Sequence, residues 1–197
     1  MDKNEILFRC VAVALLVSFI AVRNYYRRRV ESEPVATGRA QARDKLCYQS
    51  ISVSYMLTFV YALTHWLDFA HVSLPAWIRW IGALTAFAGI AILWWTHRTL
   101  GRNWSGILEL RENHRLISEG PYRYIRHPMY TALLILSVGM ALITANLLLA
   151  LLLIGTTMAM YLARVSDEEA MMIERFGDEY HSYMRRTGRL FPRLRAE

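Results

Sequence analysis

Apolar residues in this chain fall into five blocks: Ile6–Val22, Ile51–Leu67, Trp77–Trp95, Met129–Ile143 and Leu147–Leu162. Each comes near the length that a bilayer core demands of a helix, about 20 residues. In hydrocarbon every backbone amide must find its partner inside the protein, and a helix does this within its own segment. The last two blocks are shorter, about 15 residues each, and only Thr144, Ala145 and Asn146 separate them. They predict one tight helical hairpin. Composition agrees, with 55% hydrophobic and 20% charged residues, the apolar ones in long runs and not at amphipathic spacing. The expected class is all-α: a polytopic membrane helical bundle of about five transmembrane helices with a cytoplasmic C-terminal helix. One domain, 1–197, is enough, since no repeat or low-complexity tract divides it. Glu31 to Gly38 reads as an ordinary polar turn.

The first block opens with Asp2 and Glu5 and has no small-residue cleavage pattern before Arg23, so it reads as a span and not as a leader. Cys10 and Cys47 are isolated, with no metal-ligand spacing around them; neither a disulfide nor a metal site is expected. A net charge of +7 would suit nucleic acid if it were gathered on one face. It is instead divided among three connections. Arg23 to Lys45 follow the first block, Arg98 to Arg126 lie between the third and fourth, and Arg164 to Arg195 follow the fifth, while Asp68 to Ala76 holds no Lys or Arg. That asymmetry predicts a multi-pass topology with the N-terminus outside and the basic connections and C-terminus cytoplasmic. The charge also suits anionic lipid headgroups, and nucleic acid is not expected as a partner.

Two polar segments in the C-terminal half carry the chemistry. The first, His114 to Tyr130, leads into the fourth block. Pro128 fits the first turn of a helix and pushes His127 towards extended backbone, beside the amides of a helix start, which favour anionic groups such as a cofactor carboxylate. Gly120-Pro121 supplies a turn that lets backbone come close to a bound molecule. The second segment, Arg164 to Tyr180, leaves the fifth block. Arg164 and Glu168 stand four apart, so on a continuous helix they share a face and bracket a charged ligand at the membrane boundary. Ser166 to Glu169 also matches an N-cap signature, which would make Glu169 a capping residue. Met171, Met172, Phe176, Tyr180 and Met184 recur at helical spacing and predict one helix against the bundle, ending near Gly188 with Pro192 beyond.

Taken in order, Gly-Pro-Tyr-Arg-Tyr-Ile-Arg-His-Pro-Met-Tyr (120–130), Arg-Val-Ser-Asp-Glu-Glu (164–169), Phe-Gly-Asp-Glu-Tyr (176–180) and Thr-Gly-Arg-Leu-Phe-Pro (187–192) resemble the isoprenylcysteine carboxyl methyltransferases and their prokaryotic relatives. The resemblance runs from about 101 to 192 and before that rests on hydropathy. It implies an integral membrane enzyme that uses S-adenosylmethionine. Matching positions would give cofactor contacts to Glu109, His114, Arg115, Leu116, Ile117, Tyr122, His127, Pro128, Met129, Tyr130 and Glu168. Arg164 would face the substrate carboxylate, with Arg164 and Glu168 as the catalytic pair. Glu109 stands where eukaryotic members carry glutamine, and the additional N-terminal spans of those enzymes have no counterpart in this chain.

The implied substrate is a lipid or prenylated acceptor, most simply the carboxylate of an isoprenylcysteine. No metal is implied. The residues agree, because no G-x-G-x-x-G context of a soluble nucleotide fold is present. An acceptor carboxylate with a reference pKa of about 3.5 is ionised near neutral pH, so alignment and not general-base catalysis is the task. Two other readings use a similar C-terminal half: a phospholipid amine N-methyltransferase, for which Arg164 is a poor neighbour of the neutral amine, and a sterol-reductase-like oxidoreductase using NADPH.

Overall fold

Each of the five apolar blocks forms a helix, and a sixth helix follows. The computed structural model describes residues 3–30, 35–38, 42–101, 109–111 and 115–193. The helices are α1 (Lys3–Val30), α2 (Ala42–Leu63), α3 (Ala76–Leu100), α4 (Pro128–Thr144), α5 (Leu147–Phe176) and α6 (Asp178–Arg186). Short 3-10 turns occupy Asp68–Ala70 and Gly120–Arg123. Two short strands, β1 (Val35–Gly38) and β2 (Glu109–Arg111), pair antiparallel. This ribbon corrects the expectation of a plain polar turn over Val35 to Gly38, the rest of that stretch, Glu31 to Pro34, lying outside the described residues, and it ties the connection after α1 to the one after α3.

Helices α1, α3 and α5 are long and apolar enough to cross a membrane alone. Helix α4 has 17 residues, about 25 Å at 1.5 Å per residue, against a hydrocarbon core of about 30 Å. Helix α5 has 30 residues, about 45 Å. Its apolar half pairs with α4, as Ser137 and Thr157 do at 3.0 Å, and its charged half, from Arg164 onward, meets the start of α4. The predicted hairpin is present: Ala145 takes left-handed backbone with φ 47°, and the Asn146 side chain caps α5 by accepting from the Leu149 amide at 3.1 Å.

The bundle packs most closely between α3 and α4. A Cβ on Gly139 would lie 2.3 Å from the Ala86 amide nitrogen and 2.7 Å from the Gly82 carbonyl oxygen, so only glycine lets these two backbones approach. Leu93, Leu133, Leu136, Met140, Leu149 and Leu153 fill the interior, while Leu63, Leu84, Phe87, Leu151 and Leu162 are exposed on the outside. In a bilayer that outer apolar surface is the lipid face.

Each end of the bundle holds a polar cluster. At the end where α1 and α3 begin, Glu5 Oε2 accepts from Arg79 Nη1 at 2.6 Å, and Glu5 Oε1 accepts from Arg9 Nε at 3.2 Å and from the Tyr61 hydroxyl at 2.7 Å. Arg9 also donates to the carbonyls of Tyr61 and Thr64, both at 2.7 Å, and to Asp68. Arg79 Nε donates to the Ile143 carbonyl at 2.9 Å. Four helices are thereby fastened at one point. The opposite end, where α4 begins, holds the sequence-predicted site.

Candidate functional site

The site is assembled by the start of α4 and the charged half of α5. Pro128 stands at the first position of α4, and His127 precedes it with φ −122° and ψ 57°, outside helical backbone as expected for a residue before proline. The next turn of α4 presents Tyr130. Because α5 continues without a break to Phe176, Arg164 and Glu168 share one face, and Arg164 Nε lies 3.4 Å from Glu168 Oε1. The Tyr130 hydroxyl donates to the same oxygen at 2.6 Å. His127 Nδ1 stands 3.4 Å from the other, Glu168 Oε2. Three residues, from α5 and the start of α4, thus converge on the carboxylate of Glu168, and Tyr161 packs its ring 5.4 Å from that of Tyr130.

His127, Pro128, Tyr130 and Arg164 are buried, Met129 and Tyr122 partly so, and Glu168 keeps 24% of its side chain accessible. A carboxylate that remains reachable among buried aromatic and cationic groups can receive a cation from solution. Burial opposes charge on His127, but its hydrogen bonds to Glu168 and Glu169 outweigh that and hold its pKa above the usual value. Burial, with the charge of Glu168 adding to it, pushes the Tyr122 phenol well up, so it stays neutral and can donate.

Of the remaining predicted residues, Arg115 is exposed and Leu116 and Ile117 are half-buried, in the connection leading to the Gly120–Arg123 turn. Glu109 lies in β2. His114 lies outside the described residues. Gly120 does take positive φ, 56°, as a Gly-Pro turn requires, but a Cβ there would meet Thr99 Oγ1 at 2.6 Å. The close approach it makes within the protein is to α3.

Two further corrections concern α5. Ser166 and Glu169 are not an N-cap pair, because the helix began nineteen residues earlier, at Leu147. The helix predicted through Met184 is also broken: Gly177, with φ 50°, ends α5, and α6 begins at Asp178.

Sequence reasoning missed what Glu169 does. It is 5% exposed; its Oε1 accepts from Arg126 Nε at 2.9 Å, and its Oε2 accepts from Arg189 Nη2 at 2.6 Å. His127 Nε2 lies 3.4 Å from Oε1. From the sequence, Arg126 and Arg189 belong only to the topology-setting charges. Two adjacent acids on a helix that also carries Arg164 were the available signal, since consecutive helical positions diverge by about 100° and so present their carboxylates to different surroundings.

Comparison with known proteins gives a consistent picture. Residues 80–174 match the model of the isoprenylcysteine carboxyl methyltransferase (ICMT) family. A nickel-cobalt-cadmium resistance protein of Alcaligenes xylosoxydans is 34% identical over 116 residues, covering 58% of this chain and 53% of its own length. Protein-S-isoprenylcysteine O-methyltransferase B of Arabidopsis thaliana is 26% identical over 130 residues, covering 56% of this chain and 66% of its own. The chain thus matches between about half and two thirds of the length of these relatives. A solved eukaryotic intramembrane Ras methyltransferase shares the fold, with a TM-score of 0.58 at 20% identity over 92% of this chain and 67% of that one.

Proposed function

From the match of residues 80–174 to the isoprenylcysteine carboxyl methyltransferase family and the similarity to protein-S-isoprenylcysteine O-methyltransferases, we propose that this chain transfers a methyl group from S-adenosylmethionine to the carboxylate of an isoprenylcysteine-like, lipid-linked acceptor. The observation that carries this reading is the convergence of Arg164, Tyr130 and His127 on the accessible carboxylate of Glu168. The donor set suits a ligand with both signs of charge. Glu168 offers a carboxylate to a cationic amine or sulfonium, and Tyr122, Met129 and Tyr130 offer aromatic and thioether surface to a nucleoside. His127, Pro128 and the first turn of α4 stand where a helix start favours an amino-acid carboxylate. Bound there, S-adenosylmethionine supplies an electrophilic methyl group.

The chain's own residues then have a task of orientation. An acceptor carboxylate is already ionised at neutral pH, so none of them needs to remove a proton. Arg164 carries the cation that fixes such a carboxylate, and its planar guanidinium can hold it through two oxygens at once. The buried rings of Tyr130 and Tyr161 exclude water from beside it. An amine acceptor fits less well, because Arg164 would oppose the positive charge that forms on the nitrogen.

The acceptor's apolar tail is placed in the bilayer, entering laterally between helices, and the cofactor enters from the cytosol. In this reading the N-terminus is outside and the C-terminus and site are cytoplasmic, as the distribution of arginines favours.

The direct test incubates purified protein with methyl-labelled S-adenosylmethionine and either a farnesylated cysteine or an amine phospholipid. The expected product is a base-labile methyl ester on the farnesylated cysteine, reduced by at least about a hundredfold in Arg164→Ala, roughly the loss of one charge-assisted contact at a buried site. Label appearing in the amine lipid alone would contradict the carboxylate reading.

A further inference from the structure

Glu169 is the most heavily bonded acid of the site, yet the cofactor reading gives it nothing to do. It follows Glu168 directly on α5, so the two carboxylates point in different directions from one turn of helix. Glu168 faces Tyr130 and Arg164. Glu169 faces the segment after α6, where Arg126, Arg189 and the backbone meet.

That segment is laced to the chain around His127. The Arg126 amide donates to the Gly188 carbonyl at 2.8 Å, the His127 amide donates to the Arg189 carbonyl at 3.0 Å, and the Thr131 hydroxyl donates to the Leu190 carbonyl at 2.8 Å. Arg126 Nη1 donates to the Met184 carbonyl at 3.1 Å and also to that of Thr187. Residues 187–190 therefore form a strap across the start of α4. Glu169 sits at its knot, accepting from Arg126 on one side and Arg189 on the other.

His127 lies between the two acids, Nδ1 towards Glu168 and Nε2 towards Glu169, each at 3.4 Å. Its ring is further bounded by Tyr130 and Tyr161, with centroids at 6.0 and 6.3 Å. A ring whose two nitrogens both face carboxylates donates to both only when doubly protonated. A neutral ring would direct a lone pair at one of them.

We propose that Glu169 is the positioning residue of this site: by accepting from Arg126, Arg189 and His127 together it fixes the His127 ring and the strap over α4, and so sets where Glu168 presents its carboxylate to the cofactor. The inference rests on the methyltransferase reading above for the identity of the ligand, but not for the geometry. The groups that bear on His127 are Glu168, Glu169, Arg164 and Tyr161 of α5, Tyr130 of α4, Arg126 beside it and Arg189 of the strap. The two nearest are the acids, and Glu169 is the one that Arg126 and Arg189 hold in place.

The test uses the full chain in detergent with 15N-labelled histidine, assigning His127 by its loss in His127→Gln, together with calorimetric titration of S-adenosylhomocysteine. In the wild type the His127 midpoint is expected above the usual histidine value. Glu169→Gln should lower the His127 midpoint by about one pH unit or more and weaken S-adenosylhomocysteine about tenfold, with Glu169→Asp restoring part of both. Arg189→Gln should move the midpoint the other way, since it removes a cation that competes for Glu169, while weakening the ligand a few-fold as the strap loosens.

A folded Glu169→Gln protein with an unchanged His127 midpoint and unchanged affinity would overturn the proposal. Should Glu169→Gln not fold, Arg189→Gln decides in its place, and an unmoved midpoint there overturns it equally. Should the wild type not bind S-adenosylhomocysteine at all, the methyltransferase reading fails, and the histidine signal alone still decides the positioning role.

Discussion

The two polar ends of this bundle are built from the same kinds of residue and do different work. At one end Glu5 takes short hydrogen bonds from α2 and α3, 2.7 Å from Tyr61 and 2.6 Å from Arg79, and a third from Arg9 of its own helix. At the other, Glu168 has one short contact, from neutral Tyr130, while its two cationic neighbours, Arg164 and His127, both stand at 3.4 Å. A carboxylate saturated by cations is a clamp. One whose cations stand off, and which remains accessible, is available to a ligand. The difference lies in geometry and not in residue type, which is why charge alone identifies neither end.

The comparison breaks most readily at Glu5. Glu5→Gln leaves Arg9 and Arg79 without their shared counter-charge and should cost roughly 3–5 kcal/mol of stability. Thermal unfolding in detergent measures this, and S-adenosylhomocysteine affinity of the surviving folded protein should change by less than about twofold, within the error expected for distant sites. Glu168→Ala should do the reverse. Ligand affinity falls about a hundredfold, near 3 kcal/mol, and unfolding shifts by only about 1 kcal/mol, because one hydrogen bond from Tyr130 and two long charge contacts are lost. If Glu168→Ala instead unfolds the protein, both ends are clamps and the distinction is wrong.

Gly139→Ala is the control between the ends. It forces a methyl group against Ala86 in the α3–α4 seam, and should cost about 1–3 kcal/mol while leaving the affinity of either polar cluster for its partners unchanged.

The smallest effect is on pH. Because the folded pKa of His127 is raised, its contribution to stability is fully present below the unfolded value of about 6.5 and is lost as pH rises through the raised folded value. The thermal midpoint should therefore decline over that window, and the decline should be smaller in His127→Gln. Glu5 lies at the far end and does not enter this titration, so a Glu5→Gln protein, where stable enough to measure, should keep the slope.

Much of the fold was legible because its strongest signal is local. Five apolar blocks became five helices, and Thr144 to Asn146 became the hairpin turn, since both follow from residues within one segment. The Arg164–Glu168 face was legible for the same reason, as a spacing of four on a helix that continues. What could not be read was pairing across the chain. Nothing near Glu169 indicates that Arg126, 43 positions earlier, and Arg189, 20 positions later, will close on it. The local Ser166–Glu169 pattern pointed instead to a cap, and the uninterrupted helix from Leu147 overrode it. The β1–β2 ribbon is a long-range pairing of the same kind, joining segments on either side of α2 and α3. Gly177 was visible in the sequence, but a single glycine within a helical pattern is compatible with continuation, and only its positive φ shows the break.

The central claim is that the α4–α5 end, and not the α1–α3 end, is the cofactor site. Calorimetric titration of the wild type with S-adenosylhomocysteine, beside Glu168→Ala and with NADPH as the competing ligand, tests it most directly. Saturable binding of one S-adenosylhomocysteine per chain is expected, weakened about a hundredfold in Glu168→Ala, with none of comparable strength for NADPH. Binding of NADPH with none of S-adenosylhomocysteine, or S-adenosylhomocysteine binding that Glu168→Ala leaves untouched, would contradict it.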